Sequence, residues 1–177
     1  MTVLTEPAAI EPLKPSLPEF QSTDTADKIL SGSGTTKICF VCTGNTCRSP
    51  MAMALYNHLF KKTDSYAVSL GLYPMEGESI SENALEALVS IGVTPSPDNR
   101  FDLHKAHAVS ESKLCGCDKI IGMTEAHTLE LIYRFPRLAS RILTMPRPVS
   151  DPYGGDIERY CSCLREIESG IKELFVQ

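Results

Sequence analysis

Lys37-Ile38-Cys39-Phe40-Val41-Cys42-Thr43-Gly44-Asn45-Thr46-Cys47-Arg48-Ser49-Pro50 is the stretch that decides how this chain folds. Its first five residues form an apolar run of strand length. Beyond it, Met51, Leu55 and Leu59 recur at i, i+4 and i+8, the stripe of a helix. A strand that turns through a tight loop straight into a helix offers backbone N–H groups and the positive end of the helix dipole to the loop's concave side. Such a loop binds anions. Gly44 and Asn45 tolerate the left-handed backbone angles that a curl of this kind requires. Arg48 adds a planar fork that grips two phosphate oxygens at once, which a lysine could not do. Cys42 stands at the centre of this positive field, where a thiolate is favoured and acts as the nucleophile. Ser49 is within reach to donate a hydrogen bond to its sulfur. Phosphoryl transfer asks for this type of charge stabilisation on the phosphoryl oxygens. Read alone, Ser49-Pro50 is equally an ordinary helix start, with serine at the N-cap and proline in the first turn.

A departing alkoxide, phenoxide or guanidine needs a proton. Asp151-Pro152-Tyr153, far along the chain, fits that need. Proline stiffens the backbone after the carboxylate, and the aromatic ring can flank an incoming side chain. Asp-Pro alone is a common turn starter; paired with the loop it reads as a general acid.

The loop, with Met51-Ala52 after it, resembles the phosphate loop of the low-molecular-weight protein phosphatases of the tyrosine-phosphatase superfamily, and the resemblance runs from about Lys37 to the C-terminus. It implies a cysteine-dependent protein phosphatase that needs no cofactor and no metal. Cys42 is then the nucleophile and Arg48 the phosphate clamp. Asp151 is the acid that protonates the leaving group and afterwards activates water against the phosphocysteine. Thr43, Gly44, Asn45, Thr46, Cys47 and Arg48 surround the phosphate. Asn45 organises the loop, Ser49 steadies the thiolate, and Ser69, in Val68-Ser69-Leu70-Gly71, holds the asparagine from behind. Cys47 is implied as a thiol that can form a reversible disulfide with the nucleophile and spare it from over-oxidation; its alternative is simple loop packing.

Working outward, Tyr66–Leu70, Lys119–Met123 and Arg141–Thr144 read as three further strands. Helices are expected from Ser81 to Gly92, with Ala84, Leu88 and Ile91 on one face, and over Ser110–Leu114. Thr124 caps another that carries Leu129, Ile132 and Tyr133. The last helix is marked by Ile157, Tyr160, Leu164, Ile167, Ile171 and Leu174. Strands alternating with helices predict an α/β fold: a single three-layer domain whose four-stranded parallel sheet carries helices on both faces. The phosphate loop follows the first strand, at the carboxyl edge where such sheets bind ligands. Residues 1–35, with Pro7, Pro12, Pro15 and Pro18 and a small polar stretch after them, are read as a flexible extension. The phosphatase domain then occupies 36–177. The extension has no basic segment followed by an apolar one, so it does not read as a secretory signal.

A net charge of −5 argues against a nucleic-acid partner, and no segment is apolar enough to span a membrane. The expected partner is a phosphorylated protein, and no residue pattern sets an oligomeric state. Seven cysteines, an odd number with one reactive thiol among them, point to the reducing cytoplasm.

Two other functions compete. Cys115-Gly116-Cys117 and Cys161-Ser162-Cys163 suggest a four-cysteine zinc module, although Cys-x-Cys is tighter than the usual zinc knuckle. On a helix, Cys161 and Cys163 would also project about 200° apart. Thiol-dependent arsenate reductases share the fold and a similar loop, but they need relay cysteines just after the third strand. Here that segment reads Gly122-Met123-Thr124-Glu125-Ala126-His127.

For substrate, Thr46 is informative. Phosphotyrosine-cleaving members often carry isoleucine at this position, whereas the branch resembling protein-arginine phosphatases carries threonine, whose hydroxyl suits a polar guanidinium. Thr43 and the Asp-Pro-aromatic-Gly-Gly run ending at Gly155 point the same way, with Thr46 and Tyr153 flanking the substrate. The chain departs from the family at Met53, where an acidic residue often stands. It also reads His104-Lys105-Ala106-His107 in place of a His-x-Ala-Arg segment, and neither histidine has a role that the sequence supplies.

Overall fold

The computed structural model describes residues 34–176. The expected N-terminal extension therefore lies outside the described residues, apart from Gly34 and Thr35.

Four parallel strands make one sheet in the order β2-β1-β3-β4: β1 (Thr36–Cys42), β2 (Ser65–Gly71), β3 (Lys119–Gly122) and β4 (Ile142–Thr144). In β1 the side chains alternate as a pleated strand demands. Ile38, Phe40 and Cys42 join the core formed with α1 (Arg48–Leu59), α2 (Glu82–Ser90) and α5 (Ile157–Phe175). Cys39 and Val41 join the opposite core, which contains Leu114 of α3 (Glu111–Cys115), Leu131 of α4 (Glu125–Arg134) and Leu138 of a 3-10 turn. The three-layer α/β expectation is met. The chain steps from β1 outward to β2, then back across β1 to β3, so the strand order reverses at the carboxyl ends of β1 and β3. In open α/β sheets that reversal opens a crevice where ligands bind.

The caps follow local chemistry. Ser81, Ser110, Thr124 and Asp156 each accept the N–H of the residue three places on, which starts α2, α3, α4 and α5. Gly92, at φ +83°, ends the α2 segment in the left-handed region that glycine adopts without strain.

Three expectations need correction. Ile91 lies beyond α2 and is exposed, and Ala87 takes its place beside Ala84 and Leu88 in the core. In α4, Leu129 and Tyr133 face solvent, the latter 84% exposed, and the buried face is His127, Thr128 and Leu131. The zinc module fails on topology, because Cys117 packs in the α4-side core and Cys163 in the α5-side core, with the sheet between them.

Candidate active site

β1 ends at Cys42, and α1 begins at Arg48 without a side-chain cap. The alternative reading of Ser49 as an N-cap is not what the structure shows. Ser49 lies inside the first turn, and its Oγ points back to the end of β1, 3.0 Å from Cys42 Sγ. The backbone N–H of Asn45 also donates to that sulfur, at 3.3 Å. Cys42 is 2% exposed and forms the floor of a cavity of about 250 Å³.

Asn45 is the one non-glycine residue with positive φ (57°) among those described, and the strain is held by bonds on every side. Its Nδ2 donates to Ser49 Oγ at 2.9 Å and to Ser69 Oγ at 3.0 Å. Its Oδ1 accepts the His107 N–H at 3.0 Å, and its backbone carbonyl accepts from His104 Nε2 at 2.8 Å. His104 thus clamps the loop from outside with its ring and His107 with its backbone N–H, while the His107 ring pairs with Glu76. Burial depresses the pKa of His104, partly offset by that carbonyl, so the ring can act as a neutral donor. Gly44 does not adopt the expected left-handed angles; its place in the cavity wall is the remaining reason for a residue without a side chain.

The rest of the loop is tied down as firmly. Leu72 N–H donates to Cys42 O, Tyr73 N–H to Thr43 O, and Ser81 N–H to Thr46 O, each at 2.9 Å. Gly71 makes this approach possible, since a Cβ there would lie 2.9 Å from Thr43 O and 3.0 Å from Asn45 Cβ. Cys47 is buried, its Sγ 3.2 Å from the Tyr160 hydroxyl of α5 and 3.5 Å from Ser81 Oγ. Burial, and then Cys47 itself, push the Tyr160 phenol up to about 12, so it keeps its proton and can donate to the sulfur.

Arg48 is nearly buried, and its Nη2 pairs with Asp151 Oδ2 at 2.7 Å across the cavity mouth. Asp151 itself is 56% exposed, and its Oδ1 accepts the Tyr153 N–H. Thr43, Thr46, Tyr73, Met75, Glu78 and Tyr153 complete the wall. The structure therefore brings together Cys42, Arg48, Asp151 and the loop residues singled out in the sequence, with Ser49 and Ser69 behind them.

Sequence reasoning missed His127. From the start of α4 its Nε2 reaches Thr43 Oγ1 at 2.9 Å, and its Nδ1 lies 2.7 Å from Thr124 Oγ1. Burial first, then the Arg48 charge, bring its pKa down to about 4, with Asp151 opposing. The available signal was a histidine three residues after a capping threonine, at the carboxyl end of a central strand.

Among the described residues no three His, Cys, Asp or Glu side chains converge as a metal set. Cys115 and Cys117 precede β3 at the sheet edge away from Cys42, and the segment after β3 has no cysteine, so no arsenate-reductase relay forms there.

The sequence model described as low molecular weight phosphotyrosine protein phosphatase matches residues 37–177. A protein-arginine-phosphatase of Geobacillus stearothermophilus is 32% identical over 146 residues, spanning 78% of this chain and 93% of its own. A low molecular weight protein-tyrosine-phosphatase of Staphylococcus epidermidis is 34% identical over 131 residues, spanning 70% and 86%. Among solved structures, the arginine phosphatase of Geobacillus stearothermophilus superposes with a TM-score of 0.71 at 29% identity, covering 78% of this chain and 90% of its own. The low molecular weight protein tyrosine phosphatase of T. tengcongensis gives 0.71 at 33%, covering 78% and 97%. The chain belongs to the low molecular weight phosphotyrosine protein phosphatase family and is a protein phosphatase.

Proposed function

We propose that residues 36–177 form the catalytic unit and remove phosphoryl groups from protein arginine side chains through a phosphocysteine on Cys42. The observation that carries the chemistry is the setting of the Cys42 sulfur: Ser49 Oγ at 3.0 Å and the Asn45 N–H at 3.3 Å, with Arg48 beside it. In the first step the thiolate attacks phosphorus and the bond to the leaving nitrogen breaks. Asp151 gives that nitrogen its proton. Arg48 and the loop N–H groups hold the non-bridging oxygens as charge builds on them. In the second step the Asp151 carboxylate takes a proton from water as it attacks phosphorus. The phosphorus–sulfur bond breaks and inorganic phosphate leaves.

Arginine is favoured over tyrosine by the polar wall, where Thr46 stands in place of an apolar branch and Glu78 lines the same cavity. The relatives named protein-arginine-phosphatases support this reading. Phosphotyrosine is the second reading, favoured by the exposed rings of Tyr73 and Tyr153 at the rim, which could pack on a phenyl group. Cys47 is assigned as the thiol that pairs with Cys42 under oxidation, and the free thiols suit a reducing cytoplasm.

The test is hydrolysis of phosphoarginine and phosphotyrosine peptides by wild type, Cys42→Ser and Thr46→Ile. Cys42→Ser is expected to be inactive, and Thr46→Ile to shift the ratio toward phosphotyrosine. Full activity in Cys42→Ser would sink the mechanism, and an unchanged ratio in Thr46→Ile would remove the preference for arginine.

A further inference from the structure

His127 and Thr43 come from different crossover connections and meet at the cavity wall, one residue from Cys42. The cap of α4 favours one direction for each hydrogen bond. Thr124 caps α4, its Oγ1 accepting the His127 backbone N–H at 3.4 Å. That oxygen still has its own proton to place, and the other polar atom in contact is His127 Nδ1, at 2.7 Å. With Thr124 donating to Nδ1, the direction its cap geometry favours, the single proton of the neutral ring sits on Nε2. Nε2 in turn donates to Thr43 Oγ1, at 2.9 Å. The ring is neutral at physiological pH, since burial and Arg48 disfavour its charged form.

Thr43 Oγ1 is the acceptor in this chain, so its own proton is free. Among the described residues His127 is its only polar partner. Thr43 is exposed, and it lines the cavity. We propose that His127 is a positioning residue that holds the Thr43 hydroxyl with its proton turned into the cavity, as a donor to a non-bridging oxygen of the bound phosphoryl group. The inference rests on the phosphatase reading of the same loop. It adds one side-chain donor to a ring otherwise made of backbone N–H groups and Arg48. The cap of α4, Thr124, sets its direction.

The test uses Thr43→Val, His127→Leu, His127→Gln and the Thr43→Val/His127→Leu pair. Turnover is measured on an aryl phosphate and on phosphoarginine and phosphotyrosine peptides, and the Kd for inorganic phosphate by calorimetry. Thr43→Val, which keeps the side-chain shape, is expected to weaken phosphate binding about tenfold, the value of one hydrogen bond, and to lower kcat/KM by a similar factor on all three substrates. His127→Leu should do the same, and the pair should be no worse than Thr43→Val alone. His127→Gln, whose amide nitrogen can reach as far as Nε2, should recover most of the loss.

An unchanged phosphate Kd in Thr43→Val overturns the proposal, as does full additivity in the pair. A loss confined to the phosphoarginine peptide also overturns it, because the hydroxyl would then be accepting from the guanidinium. Wild-type inactivity, or full activity in Cys42→Ser, would overturn the phosphatase reading and this inference with it. Wild-type turnover matched by Thr43→Val would overturn this inference alone.

Discussion

Ser49 Oγ lies 3.0 Å from Cys42 Sγ, so the first turn of α1 reaches back over its own loop to the end of β1. The same oxygen accepts from Asn45 Nδ2 at 2.9 Å, which leaves its one proton for the sulfur or for the Leu70 carbonyl at 3.3 Å, and a thiolate is the stronger acceptor of the two. A hydrogen bond to a charged group contributes about 1.5–3 kcal/mol. Ser49→Ala should therefore lower kcat by about ten- to a hundredfold, with the phosphocysteine accumulating as its sulfur becomes a poorer leaving group. Rapid-quench measurement of the burst and of the steady state checks this; an unaltered kcat would show that the serine only packs.

Asp151 is hydrogen-bonded to Arg48, the group proposed above to hold the phosphate. Asp151→Asn should accordingly bind inorganic phosphate more tightly while losing about 10²–10⁴ in kcat on substrates whose leaving group needs a proton. On nitrophenyl phosphate, whose leaving group departs readily as an anion, the loss should be much smaller. A loss of equal size on both substrates would argue against proton donation by this residue.

Gly71 sits where β2 passes beneath the loop, with Thr43 O, Asn45 Cβ and Pro74 Cβ all within 3.1 Å of a built Cβ. Two of these three atoms belong to the loop, and none is the end of a flexible side chain. Gly71→Ala should cost about 1–3 kcal/mol of stability and reduce activity through displaced loop atoms. Thermal unfolding together with phosphate affinity would separate the two effects. Gly44→Ala, by contrast, meets only Thr46 Oγ1 at 3.7 Å and should leave stability unchanged.

His127 makes stability depend on pH in a definite direction. Its pKa falls from 6.5 in the unfolded chain to about 4 in the folded one, because burial and Arg48 oppose its charge. Below 6.5 the unfolded state takes up a proton that the folded state refuses, so stability drops as pH falls from about 6.5 to about 4. Comparing Tm against pH for wild type and His127→Gln should show a shallower decline in the variant over that window.

The strand, loop and first helix were legible because each carries its own signal. An apolar run, a Cys-to-Arg loop and an i, i+4 stripe follow one another without interruption. α5 was legible for the same reason. α4 and its Thr124 cap were legible too, but its buried face was not, because that face is held by polar bonds: His127 to Thr43, and Thr128 Oγ1 to Leu143 O and Thr144 Oγ1 at 3.3 and 2.8 Å. Hydrophobic periodicity picks out Leu129, Ile132 and Tyr133, of which the fold leaves Leu129 and Tyr133 outside and packs Ile132 half-buried against the core. His104 and His107 were opaque for a related cause. The His104 ring and the His107 backbone N–H bind the carbonyl and side chain of Asn45, about sixty residues away, and no local pattern announces a bond of that span. Cys42, Arg48 and Asp151 could be picked out as candidates from the loop's spacing and the family resemblance, whereas the residues that hold them in place required the topology.

The loop between Cys42 and Arg48 is bonded to the turn after β2, to Ser81, to His104 and His107, to the start of α4, to Asp151 after β4, and to Tyr160 in α5. Every crossover of the sheet thus ends on one short piece of chain. Such a piece has no local opening of its own, because releasing it means releasing several packed elements at once. The amides that tie it down, those of Leu72, Tyr73 and Ser81, should exchange with solvent deuterium only as fast as the whole domain unfolds. The site is thus as cooperative as the fold, and destabilising any one crossover will loosen the phosphate cradle from a distance.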